Sequence, residues 1–209
     1  MEKILTLKNV NKHFGETKVI DNFNFSVNEG ELRCLLGPNG AGKTTSLDLI
    51  TGRQPITSGS IKFKNTEITK MQEHQIVRLG IGRKFQVPAV FKDLTVKDNF
   101  EVAFGKNKGP FYNIFQGKES KTDKRFDEII ELVGLNDKLS QVAGFLSHGE
   151  TQWLEIGMVL MQDPKLLLMD EPTAGMTEQE TAKTSEIFNK LKGSHTLIVV
   201  EHDMSFVRE

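Results

Sequence analysis

The residues with the clearest chemical potential lie at positions 37–44, directly after a short apolar run. They match the pattern G-x-x-x-x-G-K-[ST] at every fixed position. Glycines in such a loop let backbone N–H groups face a phosphate, and the start of the following helix adds its positive end. The pattern assigns Lys43 to the β- and γ-phosphates and the Thr44 hydroxyl to Mg²⁺. The whole segment reads Gly37, Pro38, Asn39, Gly40, Ala41, Gly42, Lys43, Thr44 and the adjoining Thr45.

Polar residues also follow two later apolar runs. Asp170 and Glu171 come after residues 166–169, and His202 comes after residues 196–200. Asp170 is placed to hold Mg²⁺, directly or through water, and Glu171 to activate a water. Taken singly, these are common loop acids and a common surface or core histidine. Together with the glycine loop they favour nucleotide hydrolysis.

Short, nearly continuous apolar runs are typical of parallel strands that are buried on both faces. We therefore expect strands at residues 32–36, 166–169 and 196–200. Ligands of open α/β sheets bind beyond the carboxyl ends of the strands. This rule brings the glycine loop, both acids and the histidine to one edge of one sheet.

The flanking segments predict the rest of the architecture. Residues 4–10 and 19–27 read as strands, with a polar turn at residues 11–13 between them. Residues 87–160 look like a mainly helical insertion. A long helix is expected from His148 to Met161, and the short segment after His202 reads as a helix that has barely begun.

The start of the long helix allows two interpretations. Ser147 and Glu150 have the spacing of a capping box, in which each side chain bonds the other residue's backbone N–H. A Ser/Gly helix N-terminus is also a place where an anion binds. The two interpretations are compatible.

Composition excludes several classes of protein. The 209 residues carry a net charge of −1, with 27 basic and 28 acidic residues, so no global positive field favours nucleic acid. The single cysteine, Cys34, excludes a disulfide framework and indicates a reducing compartment. No apolar stretch approaches the roughly 18 residues that a bilayer span requires.

The segment Leu146-Ser147-His148-Gly149-Glu150 resembles the signature motif L-S-G-G-Q of ABC-type ATPases. The other motifs of that family follow in order. Residues 37–45 resemble the Walker A loop, and Asp170 with Glu171 the Walker B pair. Phe14 resembles the aromatic residue that stacks on adenine, Gln86 the Q-loop glutamine, and His202 the switch histidine.

This resemblance implies an α/β fold: a P-loop NTPase core with a mainly parallel sheet, an N-terminal antiparallel β part and a helical subdomain, in a chain that is truncated at its C-terminus. Residues 1–209 would form one ABC ATPase domain, with residues 87–160 as the inserted subdomain. ATP and Mg²⁺ are the implied cofactors. Lys43, Gln86, Glu171 and His202 would act in catalysis, and Thr44, Gln86 and Asp170 would bind the metal.

The resemblance also implies partners. Ser147, Gly149 and Glu150 would contact the ATP that a second ABC ATPase subunit binds, in a homo- or heterodimer. Transmembrane permease subunits, and indirectly a periplasmic or extracellular solute-binding protein, complete the implied assembly. The chain would be cytoplasmic, peripheral on the inner face of the plasma membrane, with no nucleic acid partner.

Two departures from the family pattern are evident. His148 and Glu150 replace a glycine and the glutamine of the signature, and residues 174–177 lack the usual D-loop aspartate. The segment from Gly82 to Phe91 is similar to the branched-chain amino acid importer group. His148 and the run Trp153-Leu154-Glu155-Ile156-Gly157 resemble the urea importer ATPases more closely.

Alternatives therefore remain at the level of sequence. The leading hypothesis is the ATPase subunit of an importer of a small polar solute, either urea or a short amide or a branched-chain amino acid. A soluble ABC-type ATPase of iron–sulfur assembly or of DNA repair and chromosome machinery is a second hypothesis. A nucleotide-dependent binding module with little turnover is a third.

Overall fold

The computed structural model describes residues 2–84, 90–105 and 121–202. The chain divides into two compact units. The core unit contains the chain up to Arg83, the segment Lys165–Pro172 and the chain from Leu191 onward. The helical unit contains Lys84–Pro164 and Thr173–Lys190. Each unit is described by itself below.

An antiparallel sheet contains most of the N-terminal part of the core unit. Its strands are β1 (Lys3–Phe14), β2 (Thr17–Asn28), β4 (Ser58–Phe63) and β5 (Thr66–Glu67), in the order β2-β1-β4-β5. Apolar side chains such as Leu5, Leu7 and Ile61 are completely or almost completely buried on one face. This sheet is the predicted N-terminal antiparallel part.

The polar turn predicted at residues 11–13 is wrong, because β1 continues through it to Phe14. The pairing of β1 with β2 shifts register around these residues, and Asn9 has a positive φ of 47°. The Asn11 side chain bridges the irregularity: it donates to the Asn9 carbonyl and accepts from the Asn22 backbone N–H. Side-chain hydrogen bonds of this kind let a polar segment remain in a bulged strand.

The second sheet has the order β3-β8-β7-β6, and its strands are β3 (Leu32–Leu36), β6 (Ile81–Lys84), β7 (Leu166–Asp170) and β8 (Thr196–Glu201). All of these residues belong to the core unit except Lys84, the last residue of β6. β8 pairs in parallel with β3 on one side and β7 on the other. Every residue of β7 and β8 is buried, as expected for strands covered on both faces. The predicted α/β fold with a parallel sheet is confirmed.

The core unit also contains helices α1 (Lys43–Ile50) and α2 (Glu73–Leu79). Leu47 and Ile50 of α1 are fully buried, and Ile76 of α2 is 1% exposed. All three belong to one hydrophobic cluster that includes Leu168 of β7 and Val200 of β8. This cluster fixes α1, and with it the glycine loop that precedes α1, against the sheet.

The helical unit contains α3 (Val96–Gly105), α4 (Lys121–Val133), α5 (His148–Leu160) and α6 (Glu178–Leu191), the last of these up to Lys190. Gly157 lets α5 approach its neighbours, since a Cβ there would lie 2.5 Å from the Phe100 ring of α3. The Trp153 indole N–H donates to Thr184 Oγ1 at 3.0 Å and ties α5 to α6. Within the described ranges, no helix combines the length and apolar character that a membrane span needs.

Candidate functional site

The loop after β3 has backbone conformations that glycine allows. Gly40 and Gly42 have φ angles of 83° and 81°, in the left-handed region. A Cβ on Gly42 would also approach the Val19 carbonyl oxygen to 3.1 Å. Gly42 is the N-cap of α1, no side chain hydrogen-bonds to this cap, and the first turn contains no acidic residue. The helix end thus keeps its backbone donors and positive dipole for an anion.

Lys43 lies over its own loop. Its Nζ donates to the carbonyl oxygens of Gly37 at 2.6 Å and Pro38 at 3.0 Å. These bonds hold the ammonium group against the carbonyl groups at the start of the loop. An ammonium group carries three N–H donors, and these two bonds use two of them. The third can be donated to a phosphate oxygen in the loop.

The three strand ends bring four side chains of the core unit together. Thr44 Oγ1 donates to Asp170 Oδ1 at 3.2 Å. Glu171 follows Asp170, and its Oε1 lies 3.7 Å from His202 Nδ1. Asp170 is 1% exposed, whereas the side chains of Glu171 and His202 are 23% and 50% exposed. The buried carboxylate of Asp170, which is suited to binding a metal ion, therefore lies next to the carboxylate of Glu171, which solvent and substrate can reach.

The backbone conformation of Glu171 sets the direction of its side chain. Its φ is 46°, an uncommon value for a residue with a Cβ, and its N–H donates to the Val200 carbonyl at 2.9 Å. The hydrogen bond to β8 holds the chain in this conformation. Backbone strain of this kind is concentrated at functional sites.

Phe14 lies at the end of β1, in the core unit, with 47% of its surface exposed. The Lys12 ammonium lies 4.5 Å from the centre of its ring. An exposed ring face beside a cation suits the stacking of a nucleotide base. Gln86 lies outside the described residues.

The signature segment lies at the N-terminus of α5, in the helical unit. Ser147 Oγ accepts from the Glu150 backbone N–H at 3.2 Å, and Glu150 Oε2 accepts from the Ser147 N–H at 2.9 Å. This is the capping box predicted from the sequence. Burial raises the pKa of Glu150, but the hydrogen bonds from Lys138 and Ser147 outweigh it and lower the pKa overall. Glu150 is therefore an anion at neutral pH.

A second carboxylate, from Glu180, reaches the same helix end. Its Oε2 accepts from the Thr177 backbone N–H at 3.0 Å, and its Oε1 accepts from Ser147 Oγ at 3.4 Å. A Cβ on Gly149 would collide with this carboxylate. The pKa of Glu180 is lowered by the backbone hydrogen bond from Thr177 and by those from Gly149 and Ser147, against a smaller effect of burial. The donors of the α5 end are thus partly used by the chain itself.

His148 joins the signature to the segment after Glu171. Its Nε2 lies 2.9 Å from the Ala174 carbonyl oxygen, so a ring N–H donates there. The same ring lies 3.3 Å from where a Cβ on Gly175 would be. A side chain at the position of the usual signature glycine thus contacts the segment that lacks the usual aspartate.

Comparison with known proteins identifies the family of this chain. The family model described as "ABC transporter" matches residues 20–174. The chain belongs to the ABC transporter family. As an ATP-binding member of that family, it is an ATPase, and the ATPase subunits of ABC transporters work as dimers with transmembrane permeases.

The relatives indicate which group within the ABC transporter family this chain resembles. The chain is 35% identical to a probable branched-chain amino acid transport ATP-binding protein, LivG, of Methanocaldococcus jannaschii, over 98% of this chain and 82% of that protein. It is 31% identical to the high-affinity LivG of Escherichia coli K12, over 99% and 84%. This ABC ATPase is thus related to the ATP-binding proteins of branched-chain amino acid transporters.

Solved structures show the same fold. An ATP-binding cassette of an ABC transporter in its ADP conformation superposes with a TM-score of 0.85 at 32% identity, over 99% of this chain and 84% of that one. A cassette described as a dimer in a post-hydrolysis state, bound to ADP and Pi, gives a TM-score of 0.77 at 27% identity, over 98% and 90%.

Sequence reasoning missed two residues of this ABC ATPase that contact the site. Arg83 pairs with Asp170 and Asp48, and Glu180 reaches the signature. Glu180 has in the sequence only the spacing of a capping box with Thr177, and spacing along the chain does not show which other helix end lies nearby. Arg83 has a weak signal, as a single arginine in a short strand three residues before Gln86.

Proposed function

We propose that this ABC ATPase hydrolyses Mg²⁺–ATP at the carboxyl edge of its parallel sheet and powers an importer of a small polar solute. The observation that carries the proposal is the convergence at that edge. Lys43, Thr44, Asp170, Glu171 and His202 come from three strand ends, with separations of 3.2 Å between Thr44 and Asp170 and 3.7 Å between Glu171 and His202.

The donor set suits Mg²⁺. Thr44 and Asp170 offer a hydroxyl and a carboxylate oxygen, and Mg²⁺ is typically held by one or two carboxylates together with substrate phosphates. Among the described residues there is no cluster of three or more His, Cys, Asp or Glu side chains that could hold a metal alone. When bound between Thr44 and Asp170, Mg²⁺ would neutralise the charge that develops on the phosphates.

The remaining site residues are proposed to have the roles that the family resemblance implies. Glu171 accepts a proton from the attacking water, and His202 donates a hydrogen bond to the γ-phosphate. The backbone of residues 37–45 and Lys43 hold the phosphates, and Phe14 stacks on the base. Gln86 reports on the γ-phosphate.

Replacement of Glu171 by Gln tests the general base. We expect nucleotide binding to be retained and turnover to fall by about 10²- to 10⁴-fold, the usual scale for general-base catalysis. Phosphate release and titration with a fluorescent ATP analogue measure the two effects. Glu73→Gln, an exposed glutamate of α2, is the matched control. Hydrolysis by Glu171→Gln at the rate of the control would remove Glu171 from this role.

Dimer closure completes the proposed cycle. Ser147, Gly149 and Glu150 at the start of α5 contact the ATP that is bound by a second subunit, either a copy of this chain or a related ATPase. ATP stabilises the closed dimer because its γ-phosphate contacts both subunits only there. Hydrolysis removes this contact and the dimer opens.

The permease is proposed to dock on the helical unit, in the region that follows Gln86. Phe91, Leu94 and Phe145 are 50%, 36% and 80% exposed. They lie on neighbouring segments, since the Ala143 N–H donates to the Leu94 carbonyl at 2.8 Å. Exposed apolar side chains that cluster in this way are typical of interaction sites. Such docking would place the subunit on the inner face of the plasma membrane, with a solute-binding protein outside it.

The solute is proposed to be urea or a short amide, or a branched-chain amino acid. The names of the relatives support the amino acid, while His148 and the Trp153-Leu154-Glu155-Ile156-Gly157 run support urea. Transport by the reconstituted complex decides between them. Uptake of labelled urea without uptake of labelled leucine would select urea, and the reverse would select the amino acid.

A further inference from the structure

Arg83, at the end of β6, lies between two carboxylates of the core unit. Its Nη2 is 3.2 Å from Asp170 Oδ2 and its Nη1 is 2.5 Å from Asp48 Oδ1 of α1. Nη1 also lies 3.4 Å from Thr51 Oγ1. The Arg83 side chain is only 4% exposed. The guanidinium group thus links the helix that follows the phosphate loop to the strand that carries the acidic pair.

The contacts of Asp170 are divided between its two oxygens. Oδ2 faces Arg83, whereas Oδ1 accepts from Thr44 Oγ1. A carboxylate held at one oxygen cannot rotate freely, so Oδ1 stays on the side of the phosphate-binding loop. That is the oxygen placed to share a cation with the Thr44 hydroxyl.

We propose that Arg83 is a positioning residue for Asp170: it fixes the carboxylate so that Oδ1 faces the Mg²⁺ site, and its pair with Asp48 holds the guanidinium in place. This inference rests on the proposed Mg²⁺–ATP site. Carboxylates that ligate metals are themselves hydrogen-bonded, and loss of such an outer partner typically costs 10- to 100-fold in metal affinity or activity.

The chemistry favours arginine in this role. Asp170 is 1% exposed, and a buried carboxylate needs a partner of opposite charge. The planar guanidinium presents separate N–H groups to the two carboxylates, whereas a lysine ammonium is a single point charge on a flexible stem. Lysine at position 83 would keep the positive charge but lose the link between Asp170 and Asp48.

The test measures metal affinity directly. Mn²⁺, which is visible by electron paramagnetic resonance, replaces Mg²⁺ and is titrated into the ATP complex in a Glu171→Gln background. We expect Arg83→Gln to raise the dissociation constant of Mn²⁺ by about 10- to 100-fold, towards the value for ATP alone. Arg83→Lys and Asp48→Asn are expected to give smaller increases. Affinity for a fluorescent ATP analogue in EDTA should remain within about twofold for all three.

The control is Arg33→Lys, which alters another arginine–carboxylate pair of the core unit, with Glu31. An unchanged Mn²⁺ affinity in Arg83→Lys and Asp48→Asn would overturn the inference. So would an equal loss of affinity in EDTA, because that would show a purely structural role. If Arg83→Gln does not fold, the two conservative variants decide. If the parent protein binds Mn²⁺ no better than ATP alone, the proposed metal site itself fails.

Discussion

The two helix N-termini assigned to ATP differ in what their own chain supplies. At α1, no side chain hydrogen-bonds to the Gly42 cap, and the first turn contains no acidic residue. At α5, Ser147 caps the helix, Glu150 lies in the first turn, and the carboxylate of Glu180 lies against Gly149. One helix end keeps its donors for a phosphate, while the other already has an anion from its own chain.

This difference suggests that the two ends bind at different stages. An open helix end can hold phosphate in a single subunit, because its backbone N–H groups do not first have to give up another hydrogen-bond acceptor. An end that holds its own carboxylate must exchange that contact for the phosphate of another subunit. In the proposed dimer, the signature end would favour ATP only when the γ-phosphate arrives with enough contacts to displace Glu180.

The largest expected effect comes from making the α1 end resemble the α5 end. Thr45 is the third residue of α1, the position that corresponds to Glu150 in α5. Thr45→Glu would place a carboxylate beside the phosphates, and a repulsion of about 1.4–3 kcal/mol gives a roughly 10- to 100-fold weaker nucleotide affinity. Titration with a fluorescent ATP analogue measures it. Thr45→Gln, of equal size without charge, is the control, and equal losses in both would point to sterics instead of charge.

A smaller effect is expected from Glu180→Gln. Glutamine can keep the capping box of α6 but removes the negative charge from the α5 end. Loss of about 0.3–1 kcal/mol of charge–dipole stabilisation would favour the closed state, so that the ATP concentration for half-maximal dimerisation falls roughly two- to fivefold. Sedimentation in a Glu171→Gln background measures this shift.

Glu178→Gln is the matched control for this variant, since Glu178 is exposed and lies in the same first turn of α6. Equal behaviour of the two variants would show that Glu180 does not compete with ATP. If ATP fails to dimerise the parent Glu171→Gln protein in the first place, the proposed closure is wrong.

The smallest effect concerns acid stability of the α5 end. The pKa values of Glu150 and Glu180 lie below the usual 4.5, so both carboxylates stabilise the folded state above that pH and lose this contribution as the pH falls through their folded pKa values. The Glu150 pair with Lys138 is partly exposed, which limits its contribution to about 1 kcal/mol or less. In the variant that carries both Glu150→Gln and Glu180→Gln, the melting temperature should therefore fall less steeply as the pH drops below 4.5. A slope equal to that of the parent would contradict this expectation.

The sequence predicted the parts of the molecule that depend on local patterns. Apolar runs ending in the glycine loop and in Asp170 were enough for the parallel sheet and for the edge at which ligands bind. It did not predict the extension of β1 to Phe14, because the polar residues 11–13 read as a turn when the hydrogen bond from the Asn22 N–H to the Asn11 side chain is unknown. The contacts of Arg83 and Glu180 were not predicted for a related reason, since their partners are distant in the sequence. Arg83 lies 35 residues from Asp48 and 87 residues from Asp170, and Glu180 lies 33 residues from Ser147.

The left-handed backbone of Glu171 has a consequence for the evolution of this chain. A non-glycine residue with φ of 46° costs of order 1–3 kcal/mol at a strained site, and glycine would avoid that cost. Glycine at position 171 would thus give a more stable protein, but one without the carboxylate that is proposed to activate water. The glutamate costs the chain stability, and the proposed role in turnover accounts for that cost.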